Sequence, residues 1–142
     1  MSENITAIIV DDAAQARRLL KLMLAEHAPQ VELIGEASNA VDALELVKAQ
    51  QPDVIFLDIR MPGLTGIEAA KEIAQLDLGD DAELPEMVFI TAYDQYAIDA
   101  FEQGVVDYVL KPAEPERLKL TADRLKVRLM QRANDLSGHV MG

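Results

Sequence analysis

Five polar side chains of this 142-residue sequence stand where short apolar runs end. Each run has the composition of a buried β-strand, and the polar residues follow at its carboxyl end. The carboxyl ends of parallel strands meet at one edge of an open α/β sheet, where ligands bind. We therefore expect five residues to converge there, namely Asp11, Asp12, Asp58, Thr91 and Lys111.

The three carboxylates are the part of this set that requires a partner. Two carboxylates about 4 Å apart repel by roughly 4 kcal/mol at an effective dielectric of about 20, so a cluster of three needs a cation. Hard oxygen ligands with room for water suit Mg²⁺. An opposite charge would keep Asp58 ionised, and a carboxylate that attacks phosphorus forms an acyl phosphate. Lys111 and the metal would neutralise the transferred group, and Thr91 could donate a hydrogen bond to it.

The chain between these residues alternates between strand-like and helix-like patterns. The apolar runs predict strands over residues 5–10, 31–37, 54–57, 87–90 and 105–110. The periodic segments predict helices over 13–28, 40–50, from 65 onward, over 94–103, and from 115 past 130. Five strands alternating with five helices predict right-handed crossovers and a parallel sheet covered by helices on both faces.

Apolar residues at steps of three and four predict which face of each helix is buried. The predicted stripes are Ala16, Leu19, Leu20 and Met23; Val41, Leu44 and Val47; Ile67, Ala70, Ile73 and Ala74; and Leu118, Ala122, Leu125 and Leu129. Either Ser38 or Asn39 is expected to cap the second helix. Residues 77–86 are rich in acids and glycine, which predicts an exposed loop.

The bulk composition is that of one soluble domain without disulfides. Half of the residues are hydrophobic, none is Cys, and the net charge of −12 argues against nonspecific binding to nucleic acid. The first residues do not form a signal peptide, and no apolar stretch approaches the roughly 18 residues of a membrane span. We therefore expect a cytoplasmic protein without membrane contact. The slightly basic tail after Ala113 is typical either of a helix leading into another module or of a solvated amphipathic helix.

Four segments carry a resemblance to a known family: IIVDD, VIFLDIRMPGLTGIE, FITAY and DYVLKP. Together they resemble the receiver domain of two-component response regulators, over about residues 5 to 130. The resemblance implies a flavodoxin-like α/β fold with five helices and five parallel strands in the order 2-1-3-4-5. It implies a receiver domain over residues 1–131 and a C-terminal extension or linker over 132–142.

The resemblance also implies roles for the polar residues at the strand ends. Asp58 resembles the phosphoacceptor, and Asp11 and Asp12 resemble the acidic pair that holds Mg²⁺. The backbone carbonyl of Arg60 lies where the family supplies a further metal ligand.

Three more positions resemble the part of a receiver that changes shape. Thr91 resembles the switch hydroxyl, Lys111 the conserved lysine, and Tyr108 the aromatic switch residue three places before it. The family usually has a cis peptide bond after this lysine, so we expect Lys111-Pro112 to be cis.

The implied partner is a sensor histidine kinase that donates the phosphoryl group. Phosphorylation would change the face made by the fourth helix, fifth strand and fifth helix, through which a homodimer is possible. Residues 90–112 look like the LytTR class of transcriptional regulators, which adds a DNA-binding domain. Only about 30 residues follow Pro112, so DNA contact is expected only through an output domain absent from this chain. The chain is then either an excised receiver or a stand-alone one.

Two other classes of function remain open. A dehalogenase-type phosphatase also uses Asp, Mg²⁺, Thr and Lys, but it carries its nucleophile on the first strand, whereas Asp58 is on the third. A constitutive interaction module could keep the fold without the chemistry. Single residues also have simpler interpretations, since Asp12 could cap the first helix and Tyr108 could be ordinary half-buried packing. We expect a phosphoacceptor domain that promotes its own phosphotransfer and dephosphorylation rather than an enzyme.

Overall fold

Five short apolar strands form the centre of the molecule. The computed structural model describes residues 4–79 and 82–141, with side chains up to residue 134. The strands are β1 (Ile5–Val10), β2 (Val31–Ala37), β3 (Val54–Leu57), β4 (Glu86–Thr91) and β5 (Asp107–Leu110). The helices are α1 (Ala14–His27), α2 (Ala40–Gln50), α3 (Gly66–Ala74), α4 (Ala97–Glu102) and α5 (Pro115–Met141).

The strands make one parallel sheet in the order β2-β1-β3-β4-β5, which confirms the predicted flavodoxin-like topology. The register pairs Val10 with Leu57 and Leu57 with Phe89, so these strands end side by side. The amide of Asp58 donates to the carbonyl of Val10 at 3.0 Å, which continues the ladder one residue past β3. The residues that follow β1 and β3 therefore emerge next to each other at one edge of the sheet.

The two faces of the sheet carry separate hydrophobic cores. Ile8 and Val10 of β1 pack with α2, α3 and α4, whereas Ala7 and Ile9 pack with α1 and α5. Successive residues of a strand point to opposite faces, so a strand buried on both sides must be apolar throughout. This explains the unbroken run of β3, in which all four residues are buried.

The predicted stripes of the first two helices are confirmed in part: Leu20 and Met23 of α1 and Leu44 and Val47 of α2 pack against the cores. Leu19 of α1 is 59% exposed, and Leu24 is the buried residue of that helix. Val41 of α2 is 67% exposed, while Ala40 and Ala43 are buried. Leu19 and Val41 therefore lie outside the buried faces of their helices.

The later elements differ from the predictions mainly at their ends. In α3 the predicted Ala74 is exposed and Ala69 is buried instead. Helix α4 covers only residues 97–102, and β5 begins at Asp107. The predicted stripe of α5 is confirmed for Leu118, Ala122 and Leu125, which are almost fully buried.

Two helices begin with side-chain caps, and the cap of α2 is one that the sequence predicts. The Asn39 side chain accepts from the amide of Asp42 at 2.9 Å. Thr65 and Glu68 form a reciprocal capping box at the start of α3. Helix α1 begins after Ala13 without a side-chain cap, so the alternative role of Asp12 as a cap is not realised.

Helix α5 continues as one helix through the predicted boundary between residues 131 and 132, and ends at Met141. Residues 80 and 81 of the predicted acidic loop lie outside the described part of the chain, and residues 77–79 and 82–85 have no regular structure. The prediction is wrong at the end of the loop, where Pro85 is buried and Glu86 begins β4. In the two described ranges, no helix combines the length and apolar character that a membrane crossing requires.

Candidate functional site

Two of the three predicted carboxylates meet at the edge of the sheet, and one ammonium lies between them. The Nζ of Lys111 donates to Oδ2 of Asp11 at 2.8 Å and to Oδ2 of Asp58 at 3.0 Å. The side chains of Asp11 and Asp58 are only 8% and 11% exposed, whereas that of Lys111 is 30% exposed. The structure therefore gathers residues from the ends of β1, β3 and β5, as the sequence predicts.

The lysine is held in its charged form by this arrangement. Burial on its own would lower the pKa of Lys111, but the hydrogen bonds to Asp11 and Asp58 outweigh it and raise the pKa above its usual value. The peptide bond from Lys111 to Pro112 is cis, as predicted. The amide of Lys111 also donates to the carbonyl of Thr91 at 2.8 Å, which ties the end of β5 to the end of β4.

Asp58 is held at both oxygens of its carboxylate. Its Oδ1 accepts from the following amide, that of Ile59, at 2.7 Å, while Oδ2 faces the Lys111 ammonium. The backbone carbonyl of Asp58 lies against Gly66 at the start of α3, since a Cβ built on Gly66 would come within 2.1 Å of that oxygen. Helix α3 can approach the site this closely only because residue 66 has no side chain.

Asp12 is not gathered with the other two acids. Its side chain is exposed, and the described residues contain no group of three acidic, histidine or cysteine side chains close enough to hold a metal ion. Asp11 and Asp58 already share one cationic partner, and both offer the hard oxygen atoms that Mg²⁺ prefers. The donor set thus fits Mg²⁺ in its chemistry, and Asp12 would have to turn toward the pair to complete it.

Thr91 and Tyr108 lie on neighbouring strands beside this centre. Thr91 is completely buried, and its hydroxyl oxygen accepts from the amide of Tyr93 at 3.4 Å. Tyr108 is 9% exposed, its ring packs against Phe89 and Phe101, and its hydroxyl donates to the carbonyl of Tyr93. Burial raises the pKa of the Tyr108 hydroxyl above its usual value. Both predicted switch residues therefore contact the same backbone segment, the loop that follows β4.

The side chain of Arg60 also contacts this loop. Its guanidinium lies 4.4 Å from the centre of the Tyr93 ring, and its NH2 is 3.5 Å from the hydroxyl of Tyr96. The hydrogen bond to Tyr96 raises the pKa of Arg60. The family resemblance implies a metal ligand at the backbone carbonyl of Arg60, and the structure adds these side-chain contacts to Tyr93 and Tyr96.

A family comparison agrees with this geometry. The family model described as the response regulator receiver domain matches residues 7–123 of the chain. The chain belongs to this family. It is the receiver domain of a two-component response regulator, and receiver domains are in general not enzymes.

Full-length relatives extend well beyond this receiver domain. A response regulatory protein of Vibrio cholerae is 47% identical over 121 residues, which are 85% of this chain and 48% of that protein. The transcriptional regulatory protein BtsR of Salmonella typhimurium is 43% identical over 122 residues, 86% of this chain and 48% of BtsR. The chain therefore spans about half the length of the curated relatives it matches.

Solved receiver structures share the fold across several regulator classes. The response regulatory domain of protein mrkE from Klebsiella pneumoniae has a TM-score of 0.77 and 33% identity, and covers 89% of this chain and 99% of that one. A LuxR-family DNA-binding response regulator from Staphylococcus aureus has a TM-score of 0.73 and 28% identity, covering 86% and 98%. The receiver fold is therefore common to regulators of more than one class.

Two charged clusters of the receiver domain were not found from the sequence. At the start of β5, the buried carboxylate of Asp107 accepts from Arg117 and Arg124 at 2.7 Å and from the Thr121 hydroxyl at 2.7 Å. Beside Asp11, Arg17 donates to the Asp11 carbonyl. The sequence indicates a special role for Asp107 only through its position as a charged residue within an apolar run. Its partners lie on α5, and no local sequence pattern predicts that α5 packs beside the start of β5.

Proposed function

We propose that this receiver domain is a phosphorylation-controlled switch in which Asp58 accepts a phosphoryl group from a histidine kinase. The observation that supports it best is that Lys111 reaches both Asp58 and Asp11, from positions 53 and 100 residues away in the chain. A lysine and two acids that share one buried edge are a suitable environment for a group that carries several negative charges.

In the proposed transfer, a carboxylate oxygen of Asp58 attacks the phosphorus of a phosphohistidine on the kinase. The new O–P bond forms while the P–N bond breaks, and the imidazole nitrogen keeps the electron pair of that bond. The Ile59 amide holds one oxygen of Asp58, which limits rotation of the carboxylate. The Lys111 ammonium neutralises charge on the transferred group, and later attack by water on the aspartyl phosphate resets the switch.

Receiver domains generally use Mg²⁺ in this reaction, and the proposed holders here are the carboxylates of Asp11, Asp12 and Asp58 and the backbone carbonyl of Arg60. When bound, the ion would supply positive charge that offsets the oxygens of the phosphoryl group. Asp11 and Asp58 already converge on one cation, which supports their assignment. Asp12 is exposed on the adjoining loop, where its side chain has space to turn.

The proposed response to phosphorylation begins at Thr91 and Lys111. Phosphorylation adds about two negative charges and three acceptor oxygens. Lys111 and the Thr91 hydroxyl move to these acceptors, and Tyr108 takes the space that Thr91 leaves. Because Tyr108 donates to Tyr93 in the loop before α4, its movement would release that loop and change the α4–β5–α5 face.

The proposed output is control of transcription through a further domain. BtsR, which is named a transcriptional regulatory protein, is about twice as long as the segment that this chain matches. We propose a regulator of the LytTR class, a receiver over residues 1–131, and DNA contact only through the output domain. Helix α5 reaches Met141, so residues 132–142 are suited to extend the receiver toward such a domain.

The test is phosphorylation of the chain with a histidine kinase or a small acyl-phosphate donor. The wild-type protein is expected to gain one phosphoryl group that hydroxylamine removes, and Asp58→Asn is expected to gain none. Asp99→Asn, at an exposed acid of α4, is the matched control and should be labelled like the wild type. Undiminished labelling of Asp58→Asn would contradict the proposal, and sustained turnover of a phosphomonoester would favour the dehalogenase-type alternative.

A further inference from the structure

Asp11 is fixed at every one of its polar atoms. Its amide donates to the carbonyl of Ala37 at 3.1 Å, and its Oδ1 accepts from the amide of Ala13 at 2.9 Å. Its Oδ2 faces the Lys111 ammonium, and its backbone carbonyl accepts from NH1 of Arg17 at 2.6 Å. Three of these four partners come from the sheet or the adjoining turn, whereas Arg17 reaches in from the first turn of α1.

The guanidinium of Arg17 is itself held in place by an acid on β2. Its Nε lies 3.2 Å from Oε1 of Glu36, and the Arg17 side chain is 19% exposed. The other oxygen of Glu36 pairs with Lys21, one helical turn further along α1, at 2.6 Å. The hydrogen bond from Lys21, with a further one from Arg17, lowers the pKa of Glu36, so this carboxylate stays ionised and keeps both cations.

The carbonyl that Arg17 holds belongs to the peptide unit joining Asp11 to Asp12. Fixing this peptide plane limits the backbone torsions on both sides of it, and therefore the directions in which both acidic side chains leave the chain. We propose that Arg17 is a positioning residue that sets the acidic pair for Mg²⁺ by holding this peptide unit. The proposal deepens the proposed function and rests on its assignment of Asp11 and Asp12 to the metal.

Two other roles for Arg17 make different predictions. If Arg17 acted only through its charge, its removal would strengthen Mg²⁺ binding, because one cation fewer would lie near the acids. If it only attached α1 to β2, its removal would lower stability without changing Mg²⁺ affinity. A positioning role alone predicts weaker Mg²⁺ binding, by about 10-fold as is typical when a group that orients a metal ligand is lost.

The test compares Arg17→Met with Lys21→Met in the full chain. Lys21→Met is the matched control, because it removes a cation paired with the same Glu36 from the same helix and leaves the Asp11 carbonyl untouched. Mg²⁺ affinity is measured directly, by titration of backbone amide resonances without a phosphodonor. The Mg²⁺ concentration that gives half the maximal phosphorylation rate, and that maximal rate, are then measured separately.

We expect Arg17→Met to bind Mg²⁺ about 10-fold more weakly and to need correspondingly more Mg²⁺ for phosphorylation, with a maximal rate close to that of the wild type. Lys21→Met is expected to bind Mg²⁺ as the wild type does. Unchanged or tighter binding by Arg17→Met would overturn the proposal, and so would equal weakening in the two variants.

A conservative variant covers the case in which Arg17→Met does not fold. Arg17→Lys keeps a cation beside Glu36 but lacks the planar fork that lets one side chain bond Glu36 and the Asp11 carbonyl together. It is expected to retain stability and still bind Mg²⁺ more weakly, and wild-type affinity in this variant would overturn the proposal. Failure of the wild type itself to bind Mg²⁺ would instead contradict the proposed function.

Discussion

Lys111 and Asp107 show at the scale of single residues how the same ion-pair chemistry serves two purposes. The single positive charge of Lys111 is shared by two carboxylates, so it does not fully neutralise either one. These carboxylates can therefore still bind a metal ion or, at Asp58, accept a phosphoryl group. Asp107 accepts from two guanidinium groups and one hydroxyl and is 1% exposed. Its oxygens are fully committed, which makes it a structural link between β5 and α5.

The stability contributed by Asp107 should depend on pH in the acidic range. Burial on its own would raise the pKa of Asp107, but the hydrogen bonds from Arg117 and Thr121 hold it below its usual value of 3.8. A lowered pKa in the folded state gives stability that is fully present above the unfolded pKa and is lost as the pH falls through the folded value.

We therefore expect Asp107→Asn to lower the free energy of unfolding at neutral pH by about 1–3 kcal/mol, since two guanidinium groups lose their ionic partner. The difference from the wild type should shrink as the pH falls below 3.8 and then through the lower pKa of the folded state, at which the wild-type carboxyl also becomes neutral. Urea unfolding over a pH series measures this, with Asp99→Asn as the exposed control. A difference in unfolding free energy that stays constant down to the lowest pH would contradict the lowered pKa of Asp107.

At the scale of elements, the position of α3 depends on the absence of one side chain. The amide of Gly66 donates to the carbonyl of Ile59 at 2.7 Å, and a Cβ at residue 66 would lie 2.8 Å from the Cα of Ile59. All the nearest atoms belong to the backbone of residues 58 and 59, which cannot rotate out of the way as a side chain could. The start of α3 thus supports the loop that carries Asp58.

Gly66→Ala is expected to lower the free energy of unfolding by about 1–3 kcal/mol, because the added methyl group forces α3 away from the loop. It should also slow phosphorylation, since the displacement falls on the backbone of Asp58. Glu72→Ala, at an exposed position of α3, should change the free energy of unfolding by less than about 0.5 kcal/mol. Urea unfolding measures the first effect and the rate of phosphoryl labelling measures the second. Wild-type values of both for Gly66→Ala would contradict the claim that the position of α3 requires glycine at residue 66.

At the scale of the whole molecule, the α4–β5–α5 face carries exposed apolar side chains beside the switch residues. Ile98 and Phe101 of α4 are 75% and 53% exposed, and Leu110 at the end of β5 is 47% exposed. The Phe101 ring also contacts Tyr108, with 6.5 Å between the ring centres. A movement of Tyr108 would therefore reach this face directly, and for this reason we expect any self-association through it to depend on phosphorylation.

We expect the phosphorylated chain to self-associate more strongly than the unphosphorylated chain in sedimentation velocity experiments. Ile98→Asp should reduce this association at least about 10-fold, because a charge would be buried in an apolar contact. Val41→Asp is the matched control, since Val41 is comparably exposed but lies on α2. Equal self-association of Ile98→Asp and the control would place the contact elsewhere.

The sequence by itself determined the order of elements, the parallel sheet and the edge at which Asp11, Asp58, Thr91 and Lys111 meet. These follow from local patterns, because each apolar run ends at its polar residue and parallel strands end together. It determined only part of the buried faces of α1 and α2, since the helical pattern alone does not show that Leu19 and Val41 lie outside them.

Only the tertiary structure decided the partners that hold the site in place. The contacts of Arg17 with Asp11, of Arg60 with the loop after β4, and of Arg117 with Asp107 join elements that pack together only in the folded chain. The same holds for the approach of Gly66 to Asp58. The physical reason is that periodicity reports the environment of one element at a time, whereas a hydrogen-bond partner is set by how two elements pack.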